Sequence, residues 1–227
     1  MHPLFDAHSH PPVEPTPGGL RVICGTGESD WEAVLRRDPG AIPMLGLHPW
    51  RVGEASAGWA ERLEALLRAH RAGVGECGLD FARKDVDRAA QEAAFRIQLR
   101  LARDLRRPVA IHAVRAWGRL LEVLDEEGVP PAGALVHAYG GSPETARALQ
   151  ARAVFLSFSP DLLKPERATA RAAFASVEDR FLLLETDGAG GFPRLIEAAA
   201  ALRGARAEDL AALTWENGRR CFKEVLA

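Results

Sequence analysis

Histidines and carboxylates follow short apolar runs at intervals along the chain. His8 and His10 come at the end of the first such run, and the period of two in a strand turns both imidazoles to the same side. Two imidazoles on one side can chelate one metal ion. The other potential ligands at the ends of later runs are His48, Glu76, His112, His137 and Asp187. This mixture of nitrogen and oxygen ligands is typical of zinc, manganese or iron sites rather than calcium sites.

The number of these ligands predicts two ions. Four histidines, a glutamate and an aspartate exceed the ligand set of one tetrahedral ion, but they suit two ions about 3.5–4 Å apart that share a bridging carboxylate. Glu76 is the expected bridge, because it comes from the middle of the strand order. The expected ligands of one ion are His8, His10 and Asp187, and those of the other are His112 and His137. Zinc, manganese and magnesium are the candidate divalent cofactors.

The apolar runs alternate with helical patterns, which is the order of a parallel α/β fold. Strands are predicted at residues 4–7, 20–24, 42–47, 73–76, 108–112, 133–137, 153–157 and 181–184. Helices are predicted at about 29–37, 57–71, 87–106, 165–174, 193–202 and 208–225, with two more that end near 127 and start near 142. Because eight such strands make a closed barrel, we predict one (β/α)8 TIM-barrel domain over residues 1–227. The carboxyl ends of its strands would bring the candidate ligands to one rim. An open doubly wound sheet is the alternative.

The composition is that of an ordinary globular protein, with 47% apolar and 26% charged residues. The formal charge of −2 gives no overall basic field for nucleic acid, although a local patch or a metal ion can still bind phosphate. Cys24, Cys77 and Cys221 lack CxxC spacing, which indicates reduced thiols rather than disulfides. Because there is neither an apolar run of about 18 residues nor a signal-peptide pattern, we expect no membrane partner and a cytoplasmic location. The oligomeric state stays open, and a monomer fits the sequence.

Several motifs stand in the order found in one enzyme family. They are Asp6-Ala7-His8-Ser9-His10, Gly46-Leu47-His48-Pro49, Gly75-Glu76-Cys77-Gly78-Leu79-Asp80, Pro108-Val109-Ala110-Ile111-His112, Val136-His137 and Glu185-Thr186-Asp187. With this set the chain resembles the TatD-like family of metal-dependent hydrolases, the TatD-related DNases, over nearly its whole length. The resemblance implies a TIM barrel in which one ion has the ligands His8, His10, Glu76 and Asp187, and a second has Glu76, His112 and His137. It also implies that His48 contacts phosphate or substrate.

These observations predict a divalent-metal-dependent hydrolase, foremost a phosphodiesterase or deoxyribonuclease, with DNA or another phosphodiester as its partner. The metals would generate hydroxide from water at neutral pH and polarise an oxygen of the substrate. The predicted catalytic residues are Asp187, which would accept the proton of the water, and the bridging Glu76. Arg115 is predicted to contact substrate, although the stretch from His112 to Arg115 is one residue longer than the His-x-Arg usual in the family.

Two alternatives belong to other function classes. In the first, the same metal site hydrolyses a small ester, amide, lactone or phosphoester, because the same hydroxide attacks carbon or phosphorus. In the second, the barrel has no catalytic activity and binds another protein. A basic rim with room for a strand would favour nucleic acid, whereas a small closed pocket would favour a metabolite.

Overall fold

The sheet of this protein contains eight parallel strands. The computed structural model describes residues 2–11, 18–36 and 40–226. Within these ranges the strands are β1 Phe5–Ser9, β2 Leu20–Cys24, β3 Ala41–Leu45, β4 Gly73–Asp80, β5 Val109–Val114, β6 Ala134–Val136, β7 Phe155–Phe158 and β8 Leu182–Leu184. Hydrogen-bonded neighbours follow the chain order from β1 to β8, and all the ladders are parallel. A doubly wound sheet would reverse its strand order part-way. The predicted TIM-barrel class is therefore confirmed.

Helices follow the strands and cover the outside of the barrel. In the described part of the chain they are α1 Trp31–Leu35, α2 Trp59–Ala69, α3 Arg88–Asp104, α4 Trp117–Glu127, α5 Pro143–Gln150, α6 Ala168–Ser176, α7 Phe192–Arg203, α8 Ala207–Cys221 and α9 Lys223–Leu226. Short 3-10 helices span Pro49–Glu54, Pro160–Leu163 and Asp179–Phe181. None of the helices described here has both the length and the apolar character needed to cross a membrane.

The first and last strands meet through hydrogen bonds at their carboxyl ends. The backbone N–H of Asp187 donates to the carbonyl of His8 at 3.0 Å. The carboxyl group of Asp6 accepts from the backbone N–H of Thr186 at 2.9 Å and from its hydroxyl at 2.7 Å. Burial raises the pKa of Asp6 to about 7, and the bonds from Thr186 oppose that rise. These contacts place the residues that follow β8 beside the end of β1.

β4 is longer than predicted, because it continues past Glu76 to Asp80. Its second half pairs with β5, with Gly78 opposite His112. Gly78 has φ 137°, and a Cβ atom there would lie 2.1 Å from the carbonyl oxygen of His112. Glycine allows this backbone conformation and this close approach. The pairing sets Glu76 and His112 on neighbouring strands at the same end of the barrel.

Other predicted boundaries shift by a few residues. The predicted helix 29–37 is α1, which begins after Asp30, and Arg37 lies outside the described residues. The predicted helix 208–225 is divided into α8 and α9 at Phe222. The predicted start of the helix after β6 is confirmed, since the hydroxyl of Ser142 accepts from the backbone N–H of Thr145 and Pro143 is the first helical residue. Most of the predicted loop between β1 and β2 lies outside the described residues.

Candidate metal centre

Glu76 lies in the mouth of the barrel with its side chain only 2% exposed, and imidazoles surround it. Its Oε1 atom is 2.8 Å from Nδ1 of His112 and 2.8 Å from Nε2 of His137. Nε2 of His48 is 3.1 Å from the same oxygen. The ends of β4, β5 and β6 and the segment after β3 therefore bring their polar side chains to one point, as the barrel geometry predicted.

The second oxygen of Glu76 faces the end of β1. Its Oε2 atom is 3.0 Å from Nε2 of His10 and 3.4 Å from Nε2 of His8. These two imidazole nitrogens are 3.1 Å apart, so they converge, as the two-residue period of a strand predicted. Asp187 Oδ1 completes the group at 3.9 Å from Nε2 of His8 and 3.8 Å from Nε2 of His10. Although Oε2 of Glu76 is buried, it has no hydrogen-bond partner among the described residues.

The outer nitrogen of each imidazole determines whether its inner nitrogen carries a proton. Nδ1 of His10 is 3.0 Å from the carbonyl oxygen of Cys24, which can only accept, so a neutral His10 presents a lone pair on Nε2. In His48 the two ring nitrogens have the opposite roles, because its Nδ1 accepts from the backbone N–H of Trp50 at 3.1 Å. A neutral His48 therefore carries its proton on Nε2 and donates it to Glu76. In this arrangement His48 is a hydrogen-bond donor to the cluster, which agrees with a substrate-contacting role better than with a ligand role.

Two further carboxylates contact the imidazoles of His137 and His112 on the side away from Glu76. Nδ1 of His137 is 3.4 Å from Oε1 of Glu185, and Nε2 of His112 is 3.3 Å from Oδ2 of Asp80. Each carboxylate accepts, so in the neutral rings the inner nitrogens, which are 3.1 Å apart, present lone pairs to Glu76. Carboxylates behind imidazoles in this way are usual at metal sites. Glu185 was not predicted to have a role, although its position two residues before Asp187 was an available signal.

The inner atoms of the cluster fit divalent cations. When both imidazoles are neutral, Nδ1 of His112, Nε2 of His137 and Oε1 of Glu76 are all acceptors at about hydrogen-bond distance. Burial lowers the pKa of His137, but the charge of Glu76 outweighs burial and raises that pKa well above its usual value, so a proton is held between these atoms when no cation is bound. A divalent cation bound by the three atoms would take the place of that proton. The residue groups whose ligand atoms lie within 4.8 Å of one another are His8–His10–Glu76, His8–His137–Asp187 and His48–Glu76–His112. These groups overlap, so the geometry does not reproduce the predicted division of ligands between two ions, and that division stays a prediction.

The charges in the cluster oppose the effect of burial. Burial alone would raise the pKa of Glu76, but the imidazoles, foremost His137 and His48, hold it well below its usual range. The pKa of Asp187 is raised by burial and by the charge of Glu185. The side chain of Asp187 is nevertheless 39% exposed, unlike that of Glu76. Asp187 is therefore a carboxylate that both solvent and substrate can reach.

Two buried glutamines of α3 hold the backbone of the barrel mouth. Gln98 accepts from the N–H of Leu47 at 2.7 Å and donates to the carbonyl of the same residue at 3.0 Å. Gln91 makes the same pair of bonds with Asp80, at 2.7 and 3.1 Å. The segments that carry His48 and Asp80 are thereby tied to one helix. The sequence analysis missed both glutamines, although they lie two helical turns apart on the apolar stripe of α3.

Arg115, the other predicted substrate contact, follows β5 and is exposed. Its φ of 52° is in the left-handed region, which is unusual for a side chain of this size. Arg115 lines a cavity that also reaches Asp187. The longer spacing after His112 therefore leaves Arg115 on the same side of the barrel as the metal centre.

Residues 21–223 match the family model described as TatD related DNase. This chain belongs to the TatD-related DNase family. The TatD-related chain is 38% identical over 165 residues to the 3′-5′ ssDNA/RNA exonuclease TatD of Cronobacter sakazakii, in a match that covers 71% of this chain and 62% of that relative. It is 27% identical over 196 residues to the uncharacterized metal-dependent hydrolase YabD of Bacillus subtilis, covering 79% of this chain and 76% of that one. The resemblance inferred from the motifs is confirmed.

The match spans 62% of the length of the TatD exonuclease of Cronobacter sakazakii, 62% of that of Cronobacter turicensis and 59% of that of Edwardsiella piscicida. Solved structures agree on the fold of the TatD-related chain. The TatD homologue YJJV from Escherichia coli superimposes with a TM-score of 0.87 at 24% identity, covering 97% of this chain and 98% of that one. The phosphotriesterase homology protein from Escherichia coli, solved with phosphate in its active site, superimposes with a TM-score of 0.68 at 12% identity, covering 97% and 98% of the two chains.

Proposed function

We propose that this TatD-related protein is a divalent-metal-dependent hydrolase that cleaves phosphodiester bonds at the 3′ end of single-stranded nucleic acid. One observation carries the proposal: both oxygens of the buried Glu76 face imidazole nitrogens whose outer hydrogen bonds leave lone pairs pointing inward, as at His10 and His137. The curated relatives named as 3′-5′ ssDNA/RNA exonucleases support the choice of substrate. We further propose that residues 1–227 form a single hydrolase domain.

In this proposal Glu76 would be shared by two ions. His8, His10, Glu76 and Asp187 would hold the first, and Glu76, His112 and His137 would hold the second. Zinc, manganese and magnesium are the ions to test. Divalent ions held there would supply hydroxide from water at neutral pH and neutralise the negative charge of the phosphoryl group.

The side chains around the centre handle the proton and the phosphoryl group. Asp187 accepts the proton of the attacking water as the new bond to phosphorus forms, and it returns that proton to the leaving oxygen as the ester bond breaks. Its exposure suits both steps. His48 offers its Nε2–H to an oxygen of the phosphoryl group beside Glu76. Arg115 offers a guanidinium group from the β5 side.

The test is the cleavage of a labelled single-stranded oligonucleotide by chelator-treated protein before and after addition of manganese, magnesium or zinc. We expect cleavage only after metal is added. Asp187→Asn should lower kcat by about 10²–10⁴-fold, the usual loss for a missing general base. Asp125→Asn is the matched control, because Asp125 is exposed and pairs only with Arg152 among the described residues.

Three outcomes would contradict parts of the proposal. Undiminished cleavage by chelator-treated protein would exclude the role of metal. Near-normal turnover of metal-loaded Asp187→Asn protein would remove Asp187 from proton transfer. Hydrolysis of p-nitrophenyl carboxylic esters by the metal-loaded protein, without cleavage of any phosphodiester, would assign the site to the acyl-hydrolase alternative.

A further inference from the structure

A cavity of about 390 Å³ opens beside the metal centre, between the segments that follow β5, β6 and β7. Asp187 forms part of its wall, so the cavity begins where the proposed reaction takes place. We infer that this cavity binds the nucleoside of the terminal nucleotide, with its base against the ring of Trp117 and its 5′-phosphate at the centre. The inference rests on the proposed function. It adds where the released nucleotide binds and that the cavity holds only one nucleoside.

The inner wall of the cavity is aromatic and aliphatic. The rings of Trp117 and Tyr139 are 5.0 Å apart, and those of Tyr139 and Phe158 are 5.9 Å apart. The hydroxyl of Tyr139 is already used, because it donates to the carbonyl of Ser142 at 2.7 Å. Tyr139 and Phe158 are buried, with only 2% and 1% of their surface exposed, so the half-buried ring of Trp117 is the aromatic face that the cavity presents. A flat, sequence-unspecific partner such as a nucleobase suits this face, since every base has a π-face.

Among the charged side chains near the cavity, Arg115 is the one that favours binding of an anion. Arg167 is paired with Asp161 at 2.9 Å, and Lys164 also contacts Asp161, at 2.6 Å. Arg115 has no ion pair or hydrogen bond to any described residue, so its guanidinium group is available to a ligand. The phosphate that joins the bound nucleoside to the strand supplies the matching charge.

The backbone around the cavity is unusual. Among the described residues, left-handed φ values outside glycine occur at Arg106, Arg115, Ala138, Ala153 and Asp187. Three of these, Arg115, Ala138 and Asp187, line this cavity. Such conformations concentrate at ligand-binding and active sites, where the surroundings hold them. The strain thus marks this side of the barrel mouth as a binding site.

The size of the cavity limits what enters it. A volume of about 390 Å³ is near the lower end of the range of ligand pockets, about 300–1,000 Å³. It accommodates one nucleoside rather than a continuing strand, so the substrate enters by its end. The bond that breaks joins the phosphorus of the terminal nucleotide to the 3′-oxygen of its neighbour. Water supplies the hydroxyl group of the released 5′-mononucleotide and the proton of the new 3′ end.

Two chromogenic esters separate the contribution of the nucleoside from that of the chemistry. The p-nitrophenyl ester of thymidine 5′-monophosphate and methyl p-nitrophenyl phosphate have the same leaving group and charge, and differ only in the nucleoside. For the metal-loaded protein we expect kcat/KM to be at least tenfold higher for the thymidine ester. Gly140→Phe fills the cavity and should bring this ratio close to one. A side chain at Gly140 has room to form, because its Cβ would meet only the carbonyl oxygen of Ala138, at 3.9 Å.

Gly118→Phe is the matched control. Gly118 is exposed on α4, its Cβ would meet nothing within 4 Å, and it does not line the cavity. This variant should keep the preference for the thymidine ester. As a second measurement, Arg115→Ala should weaken inhibition by thymidine 5′-monophosphate at least tenfold and leave inhibition by uncharged thymidine unchanged. Circular dichroism and Tm establish that each variant is folded.

The outcomes distinguish this inference from the proposed function. If neither ester is hydrolysed with any metal, the proposed function fails. If the methyl ester is hydrolysed but the wild-type ratio is close to one, the nucleoside site is wrong while the hydrolase proposal stands. If Gly140→Phe is folded and keeps the wild-type ratio, the nucleoside binds elsewhere and the inference is overturned.

Discussion

Replacement of Glu76 by glutamine tests whether one carboxylate organises the whole centre. The substitution keeps the size and shape of the side chain and removes its charge. Oε1 has imidazole nitrogens of His112 and His137 at 2.8 Å, and Oε2 has that of His10 at 3.0 Å. One of these two oxygens becomes an NH2 group, which donates hydrogen bonds and cannot bind a cation. One ion therefore loses a ligand, and both lose a shared negative charge.

Glu76→Gln should lower metal affinity more than does the removal of a residue that only orients a metal ligand. Removing a residue that only orients a metal ligand typically costs about 10–100-fold in affinity. Loss of a ligand atom together with its charge should therefore lower the affinity for one ion by more than about 100-fold, which corresponds to about 2.7 kcal/mol of binding free energy. The fold should persist, because the amide still hydrogen-bonds with the surrounding imidazoles.

Calorimetric titration of metal-free Glu76→Gln protein with zinc or manganese measures this loss, and elemental analysis gives the ions retained per chain. Glu144→Gln is the matched control, because Glu144 is exposed, contacts Arg147 at 3.1 Å, and belongs to none of the described residue groups that could bind a metal ion. The control should bind metal as the wild-type protein does. Wild-type affinity and stoichiometry in folded Glu76→Gln protein would refute the placement of Glu76 between the ions.

Three further outcomes are expected. Glu185→Gln should weaken metal binding by about 10–100-fold in the same titration, because the imidazole of His137 loses the carboxylate that orients it; unchanged affinity would contradict this role. Gln98→Leu should lower the free energy of unfolding by about 2–4 kcal/mol in urea, because a buried backbone N–H and a buried C=O both lose their partners; a loss below about 0.5 kcal/mol, the range of neutral surface changes, would contradict it. The hydrogen bond from Arg119 lowers the pKa of Glu92 to about 2, so the stabilisation it provides is present above the unfolded pKa of about 4.3 and is lost as the pH falls towards 2. Solvent screening limits this contribution to about 1 kcal/mol, and Glu92→Gln should show a correspondingly smaller fall in Tm between pH 5 and 2.5; equal falls in both proteins would show that the pair contributes nothing.

The sequence alone predicted that the candidate ligands lie together, because it predicted the barrel. His8, Glu76 and His112 each follow an apolar run, and parallel strands in a barrel end at the same rim. The strand period also predicted that His8 and His10 converge, and their Nε2 atoms are 3.1 Å apart. These features depend on local pattern and on one topological rule, both of which can be read from one chain.

The contacts behind the ligands could not be predicted in the same way. The pairing of Glu185 with His137 depends on how side chains from β6 and β8 meet, and the hydroxyl of Ser157 on β7 also donates to Glu185. No spacing in the sequence encodes such a meeting. The length of β4 was missed for a related reason, since its continuation to Asp80 depends on pairing with β5.

The role of His48 shows what coordinates add to a motif. Its residue type and its place after β3 are equally compatible with a metal ligand and a substrate contact. The bond from the backbone N–H of Trp50 to its Nδ1 favours the substrate contact, because it leaves the proton of a neutral ring on Nε2, and that role stays a prediction. The local backbone of the 3-10 helix Pro49–Glu54, rather than the motif, therefore defines the chemistry of this imidazole.

Anomalous X-ray diffraction from crystals soaked in manganese tests the central claim most directly. We expect two anomalous peaks that flank the carboxylate of Glu76, one near His10 and one near His112, each about 2.0–2.3 Å from its ligand atoms. Peaks only at surface carboxylates, or none at the mouth of the barrel under conditions in which the protein cleaves a phosphodiester, would contradict the centre described for this chain.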